Sequence, residues 1–209
     1  MKKAYITGAT GAIGMALVGE LLKNGISTTV FLRKDSGRND RVKDSFSGEL
    51  ARGLLRIEYV SLEELSGYAL SRNTQDMQTY ASQDLLTKAA GGADTAVFYH
   101  LGWSGTFGEQ RNDADMQQKN VEYTLDAVRL AKRLGCVHFI GVGSQAEYGR
   151  FEGRLTPDTR TLPENEYGRA KLAAGIRSAE LCRGLGLRHS WVRVLSVYGP
   201  FDGRNTMIM

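Results

Sequence analysis

Apolar positions along the chain keep two alternating rhythms: short apolar or β-branched runs, then longer stretches where apolar residues return every third or fourth position. The run Ala4–Thr7 reads as a strand. The stretch from Ala12 to Asn24 reads as a helix with Ile13, Leu17 and Leu21 on one face, stopped by Gly25. Ser27–Leu32 is a second, β-branched strand. The polar stretch from Arg33 to Arg52 reads as part loop and part helix. Leu55–Val60 is a third strand, and Ser61-Leu-Glu-Glu64 after it has the form of a capping box opening a short helix. Gly67–Gln75 carries little pattern, whereas Asp76–Ala90 fits a helix ended by Gly91-Gly92. Thr95–His100 is a fourth strand. A long helix from about Asp113 to Leu134 then sets Val121, Leu125, Val128 and Ala131 at helical spacing. Val137–Gly143, a helix over about Glu164–Arg183, and Arg188–Val194 complete the series. Strands alternating with helices predict an α/β fold: a doubly wound parallel sheet with helices on both faces.

The first strand–helix junction carries the most specific signal. Thr7-Gly-Ala-Thr-Gly-Ala-Ile-Gly14 places glycines at 8, 11 and 14. A dinucleotide pyrophosphate needs this arrangement: Gly8 permits the tight turn, Gly11 lets the backbone approach the phosphates, and Gly14 lets the helix pack closely on the strand. The helix N-terminus then offers free N–H groups and a partial positive charge. A purely structural turn is the competing reading.

Two later features carry chemistry. Tyr167 and Lys171 are four apart in an expected helix, so phenol and ammonium share a face. A free tyrosine has a pKa of about 10, and a fixed cation nearby favours the phenolate. Tyr167 can then exchange a proton with a substrate hydroxyl or carbonyl; a surface Tyr–Lys pair is the alternative. Ser144 ends the fifth strand, in Gly143-Ser-Gln-Ala-Glu-Tyr-Gly149. Ligands of doubly wound sheets sit outside the carboxyl ends of the strands, where a hydroxyl can bond a developing oxyanion. A turn serine bonding local backbone is the alternative.

Composition narrows the classes. At 42% apolar and 24% charged, the chain is an ordinary globular one. No apolar run approaches a membrane span, and no signal-peptide pattern is visible. Cys136 and Cys182 lack motif spacing, which predicts packing residues in a reducing, cytoplasmic setting. The net charge is +4, with no basic block beyond Arg33-Lys34. Neither nucleic acid nor membrane is an expected partner. His100, His138 and His189 show no pairwise metal spacing, so no metal is expected.

Taken together, these segments resemble the extended short-chain dehydrogenase/reductase superfamily, in its nucleotide-sugar epimerase/dehydratase branch. Thr7–Gly14 matches the opening motif. Tyr167 and Lys171 match the catalytic pair, and Ser144, with Tyr148-Gly149 following, matches the third catalytic residue. Asn120 sits where the family has an asparagine. His100-Leu-Gly102 resembles the strand-four motif beside the cofactor, and Arg193-Val-Leu-Ser-Val-Tyr-Gly-Pro200 the strand-six motif beside the nicotinamide.

The resemblance implies a Rossmann-type domain and a set of roles. Tyr167 would be the acid/base, Ser144 would orient the substrate oxygen, and Lys171 would bond the nicotinamide ribose and hold the phenol's pKa down. Cofactor contacts would come from Gly8, Thr10, Gly11, Ala12, Ile13 and Gly14, from Arg33 and Lys34, from Leu101, Gly102 and Asn120, and from Tyr167, Lys171, Leu195 and Val197. The implied activity is that of a nucleotide-sugar epimerase or dehydratase with a bound nicotinamide cofactor. An NADPH-dependent reductase of a keto-deoxy nucleotide-sugar and a non-catalytic NAD(P)-binding fragment or sensor are the alternatives. A homodimer through the helices near 113–134 and 164–183 is also implied.

The chain departs from the family pattern in two places. NAD-using members place an acid at the end of the second strand to bond the adenosine ribose, but here the chain reads Phe31-Leu-Arg33-Lys34-Asp35. A positive pair fits a 2′-phosphate and favours NADP over NAD. In the other reading Arg33 and Lys34 are solvated and Asp35 bonds the ribose. Family members also continue well past the strand-six motif into a smaller C-terminal lobe. This sequence stops at Met209, so residues 1–209 are expected to form one NAD(P)-binding domain with that lobe missing after about 200. The acid expected near adenine is open among Glu58, Glu63 and Glu64. Trp103 lines the cleft or serves ordinary packing.

Overall fold

The computed structural model describes residues 1–71 and 95–201. Six strands form its sheet: β1 (Lys3–Thr7), β2 (Ser27–Leu32), β3 (Leu55–Tyr59), β4 (Ala96–His100), β5 (Cys136–Ser144) and β6 (Arg188–Val194). They are all parallel, in the order β3-β2-β1-β4-β5-β6. The chain winds outward from β1 through β3, then returns to the other side of β1 at β4. The direction of winding reverses there, which opens a crevice at the carboxyl ends of β1 and β4.

The helices are α1 (Ala12–Lys23), α2 (Asn39–Ser45), α3 (Ser47–Ala51), α4 (Leu65–Ser71), α5 (Ala114–Arg133) and α6 (Glu166–Leu185). Alternation along the strands sends Ala4, Ile6, Val30 and Leu32 to one face, against Met15, Val18 and Leu21 of α1 and Val42 of α2. The other face carries Phe31, Phe98 and Phe139, covered by Leu65 of α4, Val128 and Ala131 of α5 and Cys182 of α6. There the rings stack across the sheet: Phe31 on Phe98 at 6.0 Å, Phe98 on Phe139 at 5.8 Å, Phe139 on His189 at 6.1 Å. Each such pair adds about 0.5–1.5 kcal/mol beyond burial.

Caps decide where the helices start. Asp113 accepts the Met116 N–H at 3.0 Å, so α5 begins one residue after it. Asn165 accepts the Gly168 N–H at 2.8 Å. That cap moves the start of α6 from Glu164 to Glu166, and the helix runs to Leu185 before Gly186 turns left-handed at φ +67°. Glu64 accepts the Ser61 N–H at 2.7 Å. This box closes a turn, and α4 itself begins at Leu65. The helix expected over Asp76–Ala90 lies outside the described residues. Both cysteines are free and buried. Among the described residues no helix is long and apolar enough to cross a membrane, and no His/Cys/Asp/Glu group is arranged to hold a metal ion.

Candidate active site

The three glycines of the first turn meet different constraints. Gly8 adopts φ +76°, and a Cβ there would lie 2.6 Å from the Leu101 carbonyl carbon. A Cβ on Gly14 would strike the Gly8 carbonyl oxygen and the Ala9 backbone. Gly11 is different. Its φ of −80° suits any residue, and the nearest atom to an added Cβ would be the Gly8 oxygen at 3.6 Å. The fold therefore demands glycine at 8 and 14 but not at 11. The open side of Gly11 is a cradle in front of the N-terminus of α1, where Ala12 and Ile13 begin the helix. No acidic side chain occupies the first turn of α1, so its positive end is free for an anion.

Pairing of β1 with β4 sets Thr7 opposite His100. The Gly102 N–H donates to Thr7 Oγ1 at 3.2 Å, and Thr7 Oγ1 lies 2.9 Å from His100 Nδ1. His100 Nε2 lies 3.2 Å from Thr124 Oγ1, whose proton goes to the Asn120 carbonyl at 2.9 Å. Thr124 must then accept from Nε2, and Thr7 donates to Nδ1. Burial, helped by the Lys171 charge, pushes the His100 pKa down to about 3, so the ring is neutral.

Past Leu101 and Gly102 the chain is tied to α5. Trp103 Nε1 donates to Gln117 Oε1 at 2.8 Å, and Gln117 Nε2 donates to the Gly105 and Gln110 carbonyls at 2.8 and 2.9 Å. Asn120 accepts the Ser104 N–H at 2.8 Å and donates to the Ser104 and Met116 carbonyls at 2.9 and 3.0 Å. Asn120 is thus buried with its amide fully engaged. It shapes the loop past Gly102.

Ser144 ends β5, and a reciprocal capping box follows it. Ser144 Oγ accepts the Ala146 N–H at 3.2 Å while Glu147 Oε1 accepts the Ser144 N–H at 2.8 Å. Glu147 is fully buried and also accepts from Trp191 Nε1 at 3.1 Å and Arg193 Nε at 2.7 Å. The start of α6 presses on this turn, because only glycine at 168 avoids the Ala146 carbonyl. That approach sets the Tyr167 phenol beside the Ser144 hydroxyl, which acts to lower the phenol's pKa.

One turn along α6, buried Lys171 donates from Nζ to the Val142 carbonyl at 2.7 Å, with the Trp103 ring centroid 3.7 Å away. Trp103 also meets Tyr167 edge-on at 6.1 Å, and the Arg111 guanidinium carbon sits 4.3 Å from the Tyr167 ring centroid. Burial raises the phenol above its usual value, opposed by the neighbouring Ser144 hydroxyl and then by Arg111. Lys171 Nζ lies 5.8 Å from the same ring centroid. Burial pushes the Lys171 ammonium itself down to about 7, with Glu147 opposing.

A cleft of about 810 Å³ runs from Thr7, Gly8 and Thr10 past the ends of β2 and β3 to Trp103 and α5. Ser144, Tyr167 and Lys171 do not line it; Trp103 does, and touches both Tyr167 and Lys171. At the β2 end the cleft is lined by Arg33, Ser36, Arg38 and Asn39. Lys34 is exposed and does not line it. Asn39 donates to the Arg33 and Lys34 carbonyls at 3.0 and 3.1 Å, but its buried Oδ1 has no partner among the described residues. Of the three candidate acids Glu63 lines the cleft, whereas Glu58 pairs with Arg56 at 2.8 Å and Glu64 bonds Ser61. Leu195 and Val197, past the end of β6, are half exposed. Sequence reasoning missed Arg38, Asn39, Arg111 and Glu147 as parts of this site.

The fold is similar to that of several solved structures. UDP-glucuronic acid 4-epimerase from Bacillus cereus, in complex with NAD, superimposes with a TM-score of 0.70 at 19% identity, over 98% of this chain and 60% of that one. MoeE5 in complex with UDP-glucose and NAD gives 0.70 at 21%, over 99% and 58%. UDP-glucose 4-epimerase from Brucella ovis, in complex with NAD, gives 0.67 at 20%, over 92% and 51%. The chain thus spans about three fifths or less of the length of these proteins. No curated protein matches the sequence. Residues 4–209 match the family model described as NAD dependent epimerase/dehydratase, and the chain belongs to that family.

Proposed function

We propose that the chain binds a nicotinamide dinucleotide along the cleft and acts on a nucleotide-sugar as an epimerase- or dehydratase-like oxidoreductase. The observation that carries this reading is the pairing of Ser144 and Tyr167 at the carboxyl end of β5, joined through Trp103 to a cleft that starts at Gly8. Two features fit a dinucleotide. The cradle at Gly11, before the positive end of α1, suits the pyrophosphate. The orphaned Asn39 Oδ1 suits a ribose hydroxyl donor.

When bound, the nicotinamide supplies hydride transfer. The chain's own residues handle the proton. Tyr167 takes the proton of the sugar hydroxyl as that carbon is oxidised and returns it on reduction, while the Ser144 hydroxyl holds the oxygen in place. Lys171 would bond the nicotinamide ribose. Trp103 covers Lys171 and the edge of Tyr167 and keeps water from them.

Arg33 and Arg38 bring two guanidiniums to the adenosine end and favour a 2′-phosphate, hence NADP. This charge also favours a second reading, an NADPH-dependent reductase of a keto-deoxy nucleotide-sugar using the same Ser–Tyr–Lys set. NAD is supported instead by the acceptor at Asn39 and by the NAD held in the three similar structures. Cofactor retained through purification favours the epimerase; free exchange favours the reductase. Two copies pair through α5 and α6, whose surface exposes Ile176 and carries the Glu122–Arg177 ion pair. Sedimentation of the purified chain as a monomer would remove that pairing.

The test of the reaction is Tyr167→Phe. Turnover of nucleotide-sugar should disappear while cofactor affinity stays nearly intact. Full activity in that variant would end the assignment.

A further inference from the structure

Two cations lie against the Tyr167 ring. The Arg111 guanidinium carbon is 4.3 Å from its centroid, and Lys171 Nζ is 5.8 Å away. They differ in how much charge they can offer the phenol. Lys171 is buried, its Nζ donates to the Val142 carbonyl at 2.7 Å, and the Trp103 ring lies 3.7 Å above it. Burial brings its titration to about 7, so near neutral pH its charge is only partial. Arginine stays charged at any pH a protein tolerates, and its planar guanidinium stacks on aromatic faces.

Arg111 has few other commitments. Its Nη1 reaches the Thr106 carbonyl at 3.4 Å, and among the described residues no carboxylate pairs with it. The loop that carries it is fixed from beneath. Gly105 and Gly108 turn the chain at φ +71° and +56°, and buried Gln117 holds the Gly105 and Gln110 carbonyls on either side. A half-buried guanidinium is held against the phenol ring by a built loop rather than by a salt bridge.

We propose that Arg111 is a positioning residue that acts through Tyr167: stacked on the ring, it supplies the permanent positive charge that stabilises the phenolate. Lys171 shares the Tyr167 face of α6, and the Arg111 charge adds to whatever charge the lysine carries. The other groups facing the phenol are the Ser144 hydroxyl, which lowers its pKa, and the Glu147 carboxylate, which raises it. Glu147 is itself engaged by Arg193 at 2.7 Å. The catalytic meaning rests on Tyr167 being the acid/base of the proposed function; the charge relation does not.

The experiment follows phenolate ultraviolet absorbance with rising pH in the unaltered chain, in Arg111→Gln and in Arg111→Lys. The same titrations on a Tyr167→Phe background isolate the Tyr167 signal. Arg111→Gln should raise the Tyr167 midpoint by about one pH unit, as expected for loss of a charge at this range. Arg111→Lys should restore most of the difference. Cofactor affinity, read alongside, reports whether the cleft itself stays intact. Where turnover is measured, the Arg111→Gln rate should fall about tenfold near neutral pH and recover as the pH rises. Equal midpoints in the unaltered and Arg111→Gln chains would overturn the proposal. So would a Tyr167 that stays protonated up to alkaline unfolding in both. Absence of turnover in the unaltered chain would overturn the proposed function instead, since the titration needs no substrate.

Discussion

Replacing Gly11 by alanine separates what the fold requires from what a ligand requires. Gly11 caps α1 with φ −80° and ψ 166°, a backbone that alanine adopts without strain. The added methyl would have the Gly8 carbonyl oxygen as its nearest neighbour, at 3.6 Å, an ordinary contact. Alanine caps a helix less well than glycine, by about 0.5–1 kcal/mol. Its stiffer unfolded chain offsets this by about 0.4–1 kcal/mol. Stability should therefore change by less than about 0.5 kcal/mol. Gly14→Ala behaves differently, because its methyl would meet the Gly8 oxygen and the Ala9 Cα, the latter at 2.8 Å. Overpacking against backbone costs about 1–3 kcal/mol. Binding should single out the first variant. A pyrophosphate lying on the Gly11 backbone would meet the new methyl, so a similar 1–3 kcal/mol falls on the complex and Kd weakens roughly 5- to 150-fold. Urea denaturation reads the stability, and cofactor fluorescence reads Kd. A Gly11→Ala chain that binds NADH or NADPH as tightly as the unaltered one would refute the pyrophosphate assignment. A loss of stability beyond about 2 kcal/mol would refute the packing argument.

The buried titrating groups set the pH profile of stability. Lys171 titrates at about 7 in the fold against an ordinary 10.5, so the unfolded chain binds more protons between those values. Stability should rise with pH through that window, and urea midpoints of Lys171→Met should lack the rise. His100 titrates at about 3 against an ordinary 6.5, so stability should fall as the pH drops through that range. His100→Gln should flatten that limb; an unchanged slope would contradict the neutral, doubly bonded ring. Glu147→Gln leaves Arg193 without its partner at 2.7 Å and should cost about 1–3 kcal/mol in urea denaturation. A neutral outcome would mean that the pair is solvated in solution.

Strands β2 and β6 were legible from local chemistry. Ser27–Leu32 and Arg188–Val194 fall where β-branched alternation and flanking glycines put them. The glycine turn was legible for the same reason. The start of α6 was misplaced by two residues although Asn165 is a good capping residue. Gly168 was a usable clue that went unread: a glycine inside a helix signals a close neighbour, here the Ala146 carbonyl. Gly141 and Gly143 in β5 make the same kind of slot, for Trp191. Arg111 and Asn39 left no such trace. Arg111 reaches Tyr167 only because Gln117 fixes the intervening loop, and no periodicity encodes that contact. Lys171 shows the limit of spacing. Four residues on a helix give a shared face, but burial, opposed by Glu147, decides the charge.

The most direct measurement is a titration of the unaltered chain with NADPH and with NADH, following cofactor fluorescence and tryptophan quenching. Saturable binding of one equivalent is expected, tighter for NADPH, with quenching that Trp103→Phe reduces because Trp103 lines the cleft. No binding of either cofactor would contradict the dinucleotide site and the reaction built on it.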